Sequence, residues 1–335
     1  MTSSPDTTPL THFIKKIAEQ VEKTIRTDLA SALAGNDPLL VEVLHYALLG
    51  GGKRVRPMLA ILSSRLCGRD DDELYLLAAA FEYLHVATLI HDDVIDHANS
   101  RRGKESVRKK FGTASAILAG DWLHARSMHL IGSLTGQEGL DIFCGATTAM
   151  VDGEFLQLRH VADTDVTEKQ YFDVILRKTA RLISSTCEIG AVFGKGRPEQ
   201  ISALATYGRK TGIGFQIVDD LLDYLGDAKA TGKLIGNDFV EGKLTLPLIH
   251  ALNRADTSDR TTLLACINGD RSLPDACSTA KHLMRDIGSF DYARQRAEKE
   301  IQQGLAGLSV FDSSKHKESL TILKGLAEYI LRRDR

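Results

Sequence analysis

The sequence lacks several features that mark specialised classes of protein. Its five cysteines are odd in number, widely scattered and without a CxxC pair, so neither a disulfide framework nor a zinc or redox motif is indicated. We expect buried thiols in a reducing cytoplasm. Lys and Arg number 42 against 44 Asp and Glu, which leaves no basic excess for binding a nucleic-acid backbone. Any site for an anion must therefore be local.

Long apolar runs and an N-terminal secretory signal are also missing. The longest uninterrupted apolar run, residues 74–81, is far shorter than the roughly 18 residues that span a bilayer. The first residues are polar and include Pro5. We therefore predict no transmembrane segment, a flexible N-terminal tail over residues 1–9, and a cytoplasmic location.

Proline is scarce, and its distribution favours helices. None of the seven prolines lies between Pro57 and Pro198, and apolar residues recur every three or four positions. No shift in composition divides the chain. We predict a single all-α domain over residues 10–335, with helices over about 10–33, 114–134, 139–158 and 202–225. Thr167 and Gln170 are spaced as a capping box, and the helix through the first acidic segment should end near Arg101.

Two acidic segments share one spacing on apolar backgrounds. Each reads Asp-Asp-x-x-Asp, with Asp92, Asp93 and Asp96 in the first and Asp219, Asp220 and Asp223 in the second. On a helix the first and third aspartates of each segment share a face, and the middle one points about 100° away. Stacked like charges destabilise a bare helix, and carboxylates suit Mg²⁺, which usually accompanies phosphate. The alternative, a solvated face with scattered acids, does not account for the repeated spacing.

Seven motifs in order resemble the trans-polyprenyl diphosphate synthases over about residues 40–250. They lie at residues 51–57, 91–96, 101–103, 120–121, 178–180, 215–220 and 242–247. The resemblance implies a helical bundle in which two acidic helices face each other across a deep cavity. It also implies Mg²⁺-dependent elongation of an allylic diphosphate with isopentenyl diphosphate, and a homodimer.

The same resemblance assigns roles to individual residues. The metal ligands, for about three Mg²⁺ ions, are Asp92, Asp96 and Asp219, with Asp223 in support. The contacts for the allylic diphosphate are Arg101, Lys178, Thr179, Gln216, Lys233 and Lys243. Those for isopentenyl diphosphate are Gly52, Lys53, Arg56, His85 and Arg102. The catalytic set is Asp92, Asp96, Asp219, Lys178 and Lys243, because fixed cations stabilise the departing diphosphate. Taken singly, each Lys or Arg would be a solvated charge and His85 a core histidine.

Product length is expected to depend on other residues. Ala87 and Thr88 are small at a place where many short-chain members of that family carry an aromatic residue, which favours a long product. Phe143 lies on one helical stripe with Glu154, about 16 Å away by helix rise, and would form the floor of the cavity. Ordinary core packing, or a dimer interface, is an equally weighted explanation for Phe143.

We therefore predict a medium-to-long-chain synthase, octaprenyl-like, whose product is a membrane-lipid precursor. A geranylgeranyl or farnesyl diphosphate synthase, a terpene cyclase and a non-catalytic partner subunit are the alternatives. A cyclase usually lacks the second acidic segment, and a partner subunit should have lost metal ligands, none of which is missing. The terminal arginines, Arg332, Arg333 and Arg335, are expected to form a solvated helix end, with closure over diphosphate as the alternative.

Overall fold

The computed structural model describes residues 8–49, 54–101, 103–226, 236–312 and 315–333, and helices dominate these segments. The helices are α1 Thr8–Ala32, α2 Pro38–Leu48, α3 Val55–Leu66, α4 Glu73–Ile95, α5 Val107–Phe111, α6 Thr113–Arg159, α7 Glu168–Ile175, α8 Arg181–Phe193, α9 Pro198–Leu225, α10 Asn237–Val240, α11 Leu246–Arg254, α12 Thr257–Asn268, α13 Pro274–Asp286, α14 Ser289–Gly307 and α15 Lys317–Arg332. A π-helical turn, Leu176–Ala180, joins α7 to α8, and a 3₁₀ turn, Leu308–Phe311, follows α14. The predicted all-α class is confirmed.

A short hairpin is the one sheet within the described segments. Its strands, β1 Ser100–Arg101 and β2 Lys104–Glu105, pair antiparallel. The hairpin follows α4, which ends at Ile95 with Asp96 as its C-cap. The predicted continuation of this helix to Arg101 is therefore wrong, and the third aspartate of the first acidic segment lies at the helix end.

Helix ends otherwise follow the chemistry of the caps. Thr167 and Gln170 make both hydrogen bonds of the predicted capping box at the start of α7. Helix α9 begins at Pro198, earlier than predicted, because proline at the first helical position loses no backbone hydrogen bond. The interruption expected in α6 is confined to Gly136, whose φ of 69° suits glycine.

Helix α4 is long and apolar enough, by length and composition alone, to cross a membrane; no other described helix meets this criterion. Its most apolar window has a mean hydropathy of 1.4, and 67% of that window is buried inside the protein. Core helices of soluble proteins meet the same criterion, so the finding carries little weight. The absence of a transmembrane segment stays a prediction.

The chain divides into two compact units. The first comprises Met1–Cys144, Thr186–Ile201 and Ser314–Ile322, and the second comprises Gly145–Ser185, Ser202–Ser313 and Leu323–Arg335. Four of the five boundaries fall inside helices, in α6, α8, α9 and α15, and the fifth lies between residues 313 and 314, outside the described part. The prediction of one domain over residues 10–335 stays a prediction. Helix α1 includes Thr8 and Pro9, which had been assigned to the tail, and residues 1–7 lie outside the described part.

In the first unit α4 packs against α1 and α3, and a buried ion pair joins α4 to the start of α3. Arg54 Nη1 donates to Glu82, and each side chain is only 2% exposed. Arg54 Nη2 also donates to the carbonyl of Leu48 at 3.0 Å. The residue has the left-handed backbone conformation at φ 49°. This pair therefore holds the start of α3 against α4.

The second unit has its own apolar core, centred on α9. Side chains from α9, α11 and α14 form it, and their fully buried members include Ile217, Tyr224, Leu246, Ala293 and Ala297. The apolar stripe of α9 therefore faces this core. The side of α9 that carries Asp219 and Asp223 remains partly exposed.

Replacing Glu82 with Gln should destabilise the protein strongly, because it leaves the Arg54 charge buried without a counter-charge. We expect the free energy of unfolding, measured by urea denaturation, to fall by about 3–5 kcal/mol. Glu199→Gln is the matched control, since Glu199 pairs with Arg197 on the surface and the exposed pair should contribute little. Equal unfolding midpoints for the two variants would contradict the stabilising role of the buried pair.

Candidate active site

The three aspartates of the first acidic segment have different exposures. Asp92 is half-buried and Asp96 is exposed, whereas Asp93 is only 3% exposed. The backbone N–H of Asp96 donates to the carbonyl of Asp92 at 2.8 Å, which keeps the two residues one turn apart. The helical spacing thus separates an outer pair from an inward middle residue, as predicted.

Asp93 is neutralised by Arg101 from the hairpin. The Nε and Nη2 atoms of Arg101 donate to Asp93 Oδ1 at 2.9 and 2.5 Å. A buried carboxylate needs such a partner, since an unpaired charge in the interior is costly. The predicted role of Arg101 as a diphosphate ligand stays a prediction, and it would require Arg101 to share or exchange this partner.

Two residues predicted for isopentenyl diphosphate are in contact. Arg56 Nη1 lies 2.9 Å from His85 Nδ1. Burial lowers the pKa of Arg56, and the nearby Glu82 and Asp92 partly oppose this shift. Arg56 Nε is buried without a hydrogen-bond partner among the described residues, so a donor remains for a ligand. The other residues of this set, Gly52, Lys53 and Arg102, lie outside the described residues.

The residues predicted to set product length lie in the first unit, where Ala87 and Phe143 are buried and Thr88 is half-buried. Ala87 is 2% exposed and Phe143 is fully buried, while Thr88 donates its hydroxyl to the carbonyl of His85 at 2.8 Å. The ring of Phe143 lies 6.3 Å from that of Phe81. Sequence reasoning missed Phe81, although it precedes Asp92 by three helical turns on the same side of α4.

The middle aspartate of the second acidic segment is held by neutral donors. Asp220 is 5% exposed, and it accepts hydrogen bonds from Tyr171 Oη at 2.6 Å and Gln216 Nε2 at 2.9 Å. Burial and the nearby Asp238 hold the pKa of Asp220 well above its usual value. Thr179 donates to Gln216 Oε1 at 3.1 Å, so the predicted diphosphate contacts Thr179 and Gln216 lie together. Sequence reasoning missed Tyr171.

Asp219 pairs with an arginine near the C-terminus. Arg333 Nη2 lies 3.5 Å from Asp219 Oδ1, and its guanidinium lies 5.1 Å from the centre of the Phe215 ring. The Arg333 side chain is 23% exposed, so it is not the solvated helix end that the sequence suggested. Arg332 fits that expectation better, and Arg335 lies outside the described residues. Asp223 accepts two backbone hydrogen bonds, and its role as a supporting metal ligand stays a prediction.

The predicted catalytic lysines are paired with carboxylates. Lys178 Nζ lies 2.5 Å from Glu154 Oε2 and 3.3 Å from Gln157 Oε1, which places both α6 residues at a predicted diphosphate-binding lysine. Lys243 Nζ lies 2.5 Å from Glu241 Oε2. Burial raises the pKa of Glu241, but the hydrogen bond from Lys243 and the charges of Lys243 and Lys178 outweigh it, and the pKa is lowered. Lys233 lies outside the described residues.

Lys178 and Thr179 lie in the π-helical turn Leu176–Ala180, a feature that is frequent at functional sites. Two glycines let neighbouring helices approach this turn. A Cβ atom on Gly153 would lie 2.5 Å from the backbone nitrogen of Lys178, and one on Gly212 would lie 2.8 Å from Ala180 Cα. The turn is thus held between the backbones of α6 and α9.

The carboxylates of the acidic segments fit Mg²⁺, which water and substrate phosphate help to bind, better than a metal ion bound by protein side chains alone. Among the described residues, no three His, Cys, Asp or Glu side chains converge into a ready-made metal centre. Mg²⁺ usually takes one or two carboxylates and completes its shell with water and substrate phosphate. Asp92, Asp96 and Asp219 carry this kind of donor.

Comparison with known proteins identifies the family. The polyprenyl synthetase family model matches residues 37–284, well over half of the chain. The chain belongs to the polyprenyl synthetase family. This polyprenyl synthetase is therefore a prenyltransferase of isoprenoid biosynthesis, as the seven motifs predicted, and its activity is that of a trans-polyprenyl diphosphate synthase.

The relatives of this polyprenyl synthetase make products of different lengths. The octaprenyl diphosphate synthase of Escherichia coli is 35% identical, with 96% of this chain and 98% of that protein covered. A decaprenyl diphosphate synthase from Rhodobacter capsulatus superposes with a TM-score of 0.88 at 34% identity, with 97% and 98% covered. A polyprenyl synthase from Caulobacter crescentus, complexed with calcium and isoprenyl diphosphate, gives 0.87 at 30% identity, with both chains fully covered. Relatives also include geranylgeranyl diphosphate synthases.

Replacing Gly153 with Ala should disturb the π-helical turn. The added methyl group meets backbone, so α6 or the turn must move, at a cost of about 1–3 kcal/mol. Gly145→Ala on the same helix is the matched control, because nothing lies within 4 Å of its added Cβ. The control should leave the unfolding free energy unchanged or raise it slightly. If both variants have the same unfolding midpoint, the close approach at Gly153 is not a constraint.

Proposed function

We propose that this polyprenyl synthetase elongates an allylic diphosphate, such as farnesyl diphosphate, by repeated Mg²⁺-dependent condensation with isopentenyl diphosphate. The proposed product is an all-trans medium-to-long-chain diphosphate, of octaprenyl type. The observation that carries the proposal is that the two acidic segments bury and expose the same positions of their shared pattern. In both, the middle aspartate is buried and paired, while the first keeps a partly exposed carboxylate.

The first step breaks the carbon–oxygen bond of the allylic diphosphate, and the chain's own side chains account for it. Asp92, Asp96 and Asp219 would hold Mg²⁺, which neutralises charge on the bound diphosphate. Lys178 and Lys243 would turn from their carboxylate partners to phosphate oxygens. They then stabilise the charge that develops on the diphosphate as the carbon–oxygen bond breaks.

The second step forms the new carbon–carbon bond. The double bond of isopentenyl diphosphate supplies the electron pair to the allylic carbon, and the resulting cation loses a proton, which the released diphosphate can accept. Arg56, next to His85, would hold the diphosphate of this second substrate. The Caulobacter crescentus structure, with its calcium and isoprenyl diphosphate, supports a divalent cation beside a prenyl diphosphate.

The proposed octaprenyl length rests on the small residues Ala87 and Thr88 and on the buried Phe143. A geranylgeranyl or farnesyl diphosphate synthase is the second candidate, since a geranylgeranyl diphosphate synthase from Sulfolobus acidocaldarius is 32% identical. We further propose a homodimer in a reducing cytoplasm, where the five cysteines, none of which forms a disulfide among the described residues, would stay as thiols. The product would be a membrane-lipid precursor.

Incubation with farnesyl diphosphate, labelled isopentenyl diphosphate and Mg²⁺ should give labelled polyprenyl diphosphates, separated by chromatography. EDTA should stop the reaction and excess Mg²⁺ should restore it. Asp219→Asn should lower the rate roughly 100-fold or more, the size expected when one electrostatic stabiliser is lost. Asp275→Asn, an exposed acid on α13, should not change the rate. Failure of the wild-type chain to elongate any allylic diphosphate would refute the proposal.

Product length should respond to the buried residues Ala87 of α4 and Phe143 of α6. Phe143→Ala should lengthen the products, because it removes the proposed floor, and Ala87→Phe should shorten them. Phe290→Ala is a matched control, since Phe290 packs on Tyr224 with ring centres 6.1 Å apart, much as Phe143 packs on Phe81. The control should cost stability without changing length. Unchanged product lengths in both test variants would eliminate the floor assignment.

A further inference from the structure

Asp223 accepts hydrogen bonds from backbone amides, whereas Asp219, the other outer aspartate of its segment, pairs with Arg333. Its carboxylate accepts two backbone hydrogen bonds, from Asn237 N–H to Oδ1 at 3.2 Å and from Asp238 N–H to Oδ2 at 3.0 Å. Its carbonyl accepts a third, from Gly236 N–H at 2.8 Å. Both carboxylate oxygens are therefore engaged by the chain that begins α10.

A short path of hydrogen bonds leads from Asp223 to Lys243. Asp238, whose N–H donates to Asp223, accepts at its carbonyl the N–H of Lys243 at 2.8 Å. Side chains make a parallel path, because Asn237 Nδ2 donates to Glu241 Oε1 at 2.7 Å and Glu241 pairs with Lys243 Nζ. The backbone N–H and the ammonium group of Lys243 are thus both linked to Asn237 and Asp238, so a shift of these two residues would also move Lys243.

The far end of this segment is fixed independently. Ala162 N–H donates to the carbonyl of Gly242 at 2.8 Å, and Arg271 Nε donates to the carbonyl of Val240 at 3.3 Å. Gly242 has a φ of 75°, and a Cβ there would lie 3.2 Å from the Arg271 guanidinium. Residues 236–243 are therefore a compact turn with anchors at both ends, and Asp223 is the anchor at its start.

We infer that Asp223 is a positioning residue, which fixes the turn 236–243 and so aims Lys243, and that it is not a direct metal ligand. The inference rests on the proposed function for the role of Lys243. Asp219, one turn earlier on α9, has a cation as its partner, Arg333 at 3.5 Å, and is the aspartate of this pair suited to Mg²⁺. Asp223 would have to share both its oxygens between a metal and two amides.

Hydrogen–deuterium exchange on the full-length, metal-free protein tests the anchoring directly. Asp223→Ala should raise the exchange of amides in residues 236–243 about fivefold, the factor that corresponds to a lost side-chain cap. Asp223→Asn keeps one acceptor oxygen and should show a smaller rise. Asp256→Ala is the matched control, because Asp256 caps α12 by accepting the Asp259 N–H at 2.9 Å. It should change exchange near its own cap and leave 236–243 unaffected.

Steady-state kinetics separates positioning from metal binding. Asp223→Asn should raise the KM for the allylic diphosphate about tenfold, with the half-saturating Mg²⁺ concentration within twofold of wild type. Asp219→Asn should raise that Mg²⁺ concentration. The inference is overturned if Asp223→Asn shifts the Mg²⁺ requirement as much as Asp219→Asn, or if exchange in 236–243 is unchanged. If the wild-type protein does not elongate, the proposed function fails, while the exchange result still decides whether Asp223 is an anchor.

Discussion

The site depends on one constraint, that a carboxylate turned into the interior must have a partner. Adjacent aspartates on a helix point about 100° apart, and on these largely buried helices Asp93 and Asp220 face inward at 3% and 5% exposure. Asp93 is paired with the guanidinium of Arg101, and Asp220 with the neutral donors Tyr171 and Gln216. The two middle aspartates therefore differ in the charge of their partners, although the two segments share one pattern.

The same constraint governs the cations. The described Lys and Arg residues assigned to the allylic diphosphate each have an acidic partner: Lys178 has Glu154, Lys243 has Glu241, and Arg101 has Asp93. Binding of a diphosphate would then exchange one anionic partner for another. Its net gain is the difference between two charge-assisted contacts, which is smaller than the full interaction with a bare cation. None of these three cations is therefore an isolated charge in the structure.

What could be predicted from the sequence was local. Helical spacing predicted that Asp93 and Asp220 point away from the outer aspartates, and the capping box at Thr167 needed only a four-residue pattern. Contacts between distant positions could not be predicted, because packing decides them. Tyr171 contacts Asp220, which lies 49 residues later in the sequence. Arg333, near the end of the chain, contacts Asp219. The close approach of the π-helical turn to Gly153 and Gly212 is likewise a contact between distant positions, which no local propensity encodes.

Under the proposed function, the reaction and the product are decided at opposite ends of α4. Thr88 lies four residues before Asp92, and Phe81 lies seven residues before Thr88. The three residues therefore lie within about 40° of one another around the helix. A chain growing from a diphosphate at Asp92 along this side of α4 would meet Phe81 after about 16 Å. There the ring of Phe81 is tilted by 56° against that of Phe143 from α6. The floor would then be formed by rings from two helices, and removing either ring would open part of it.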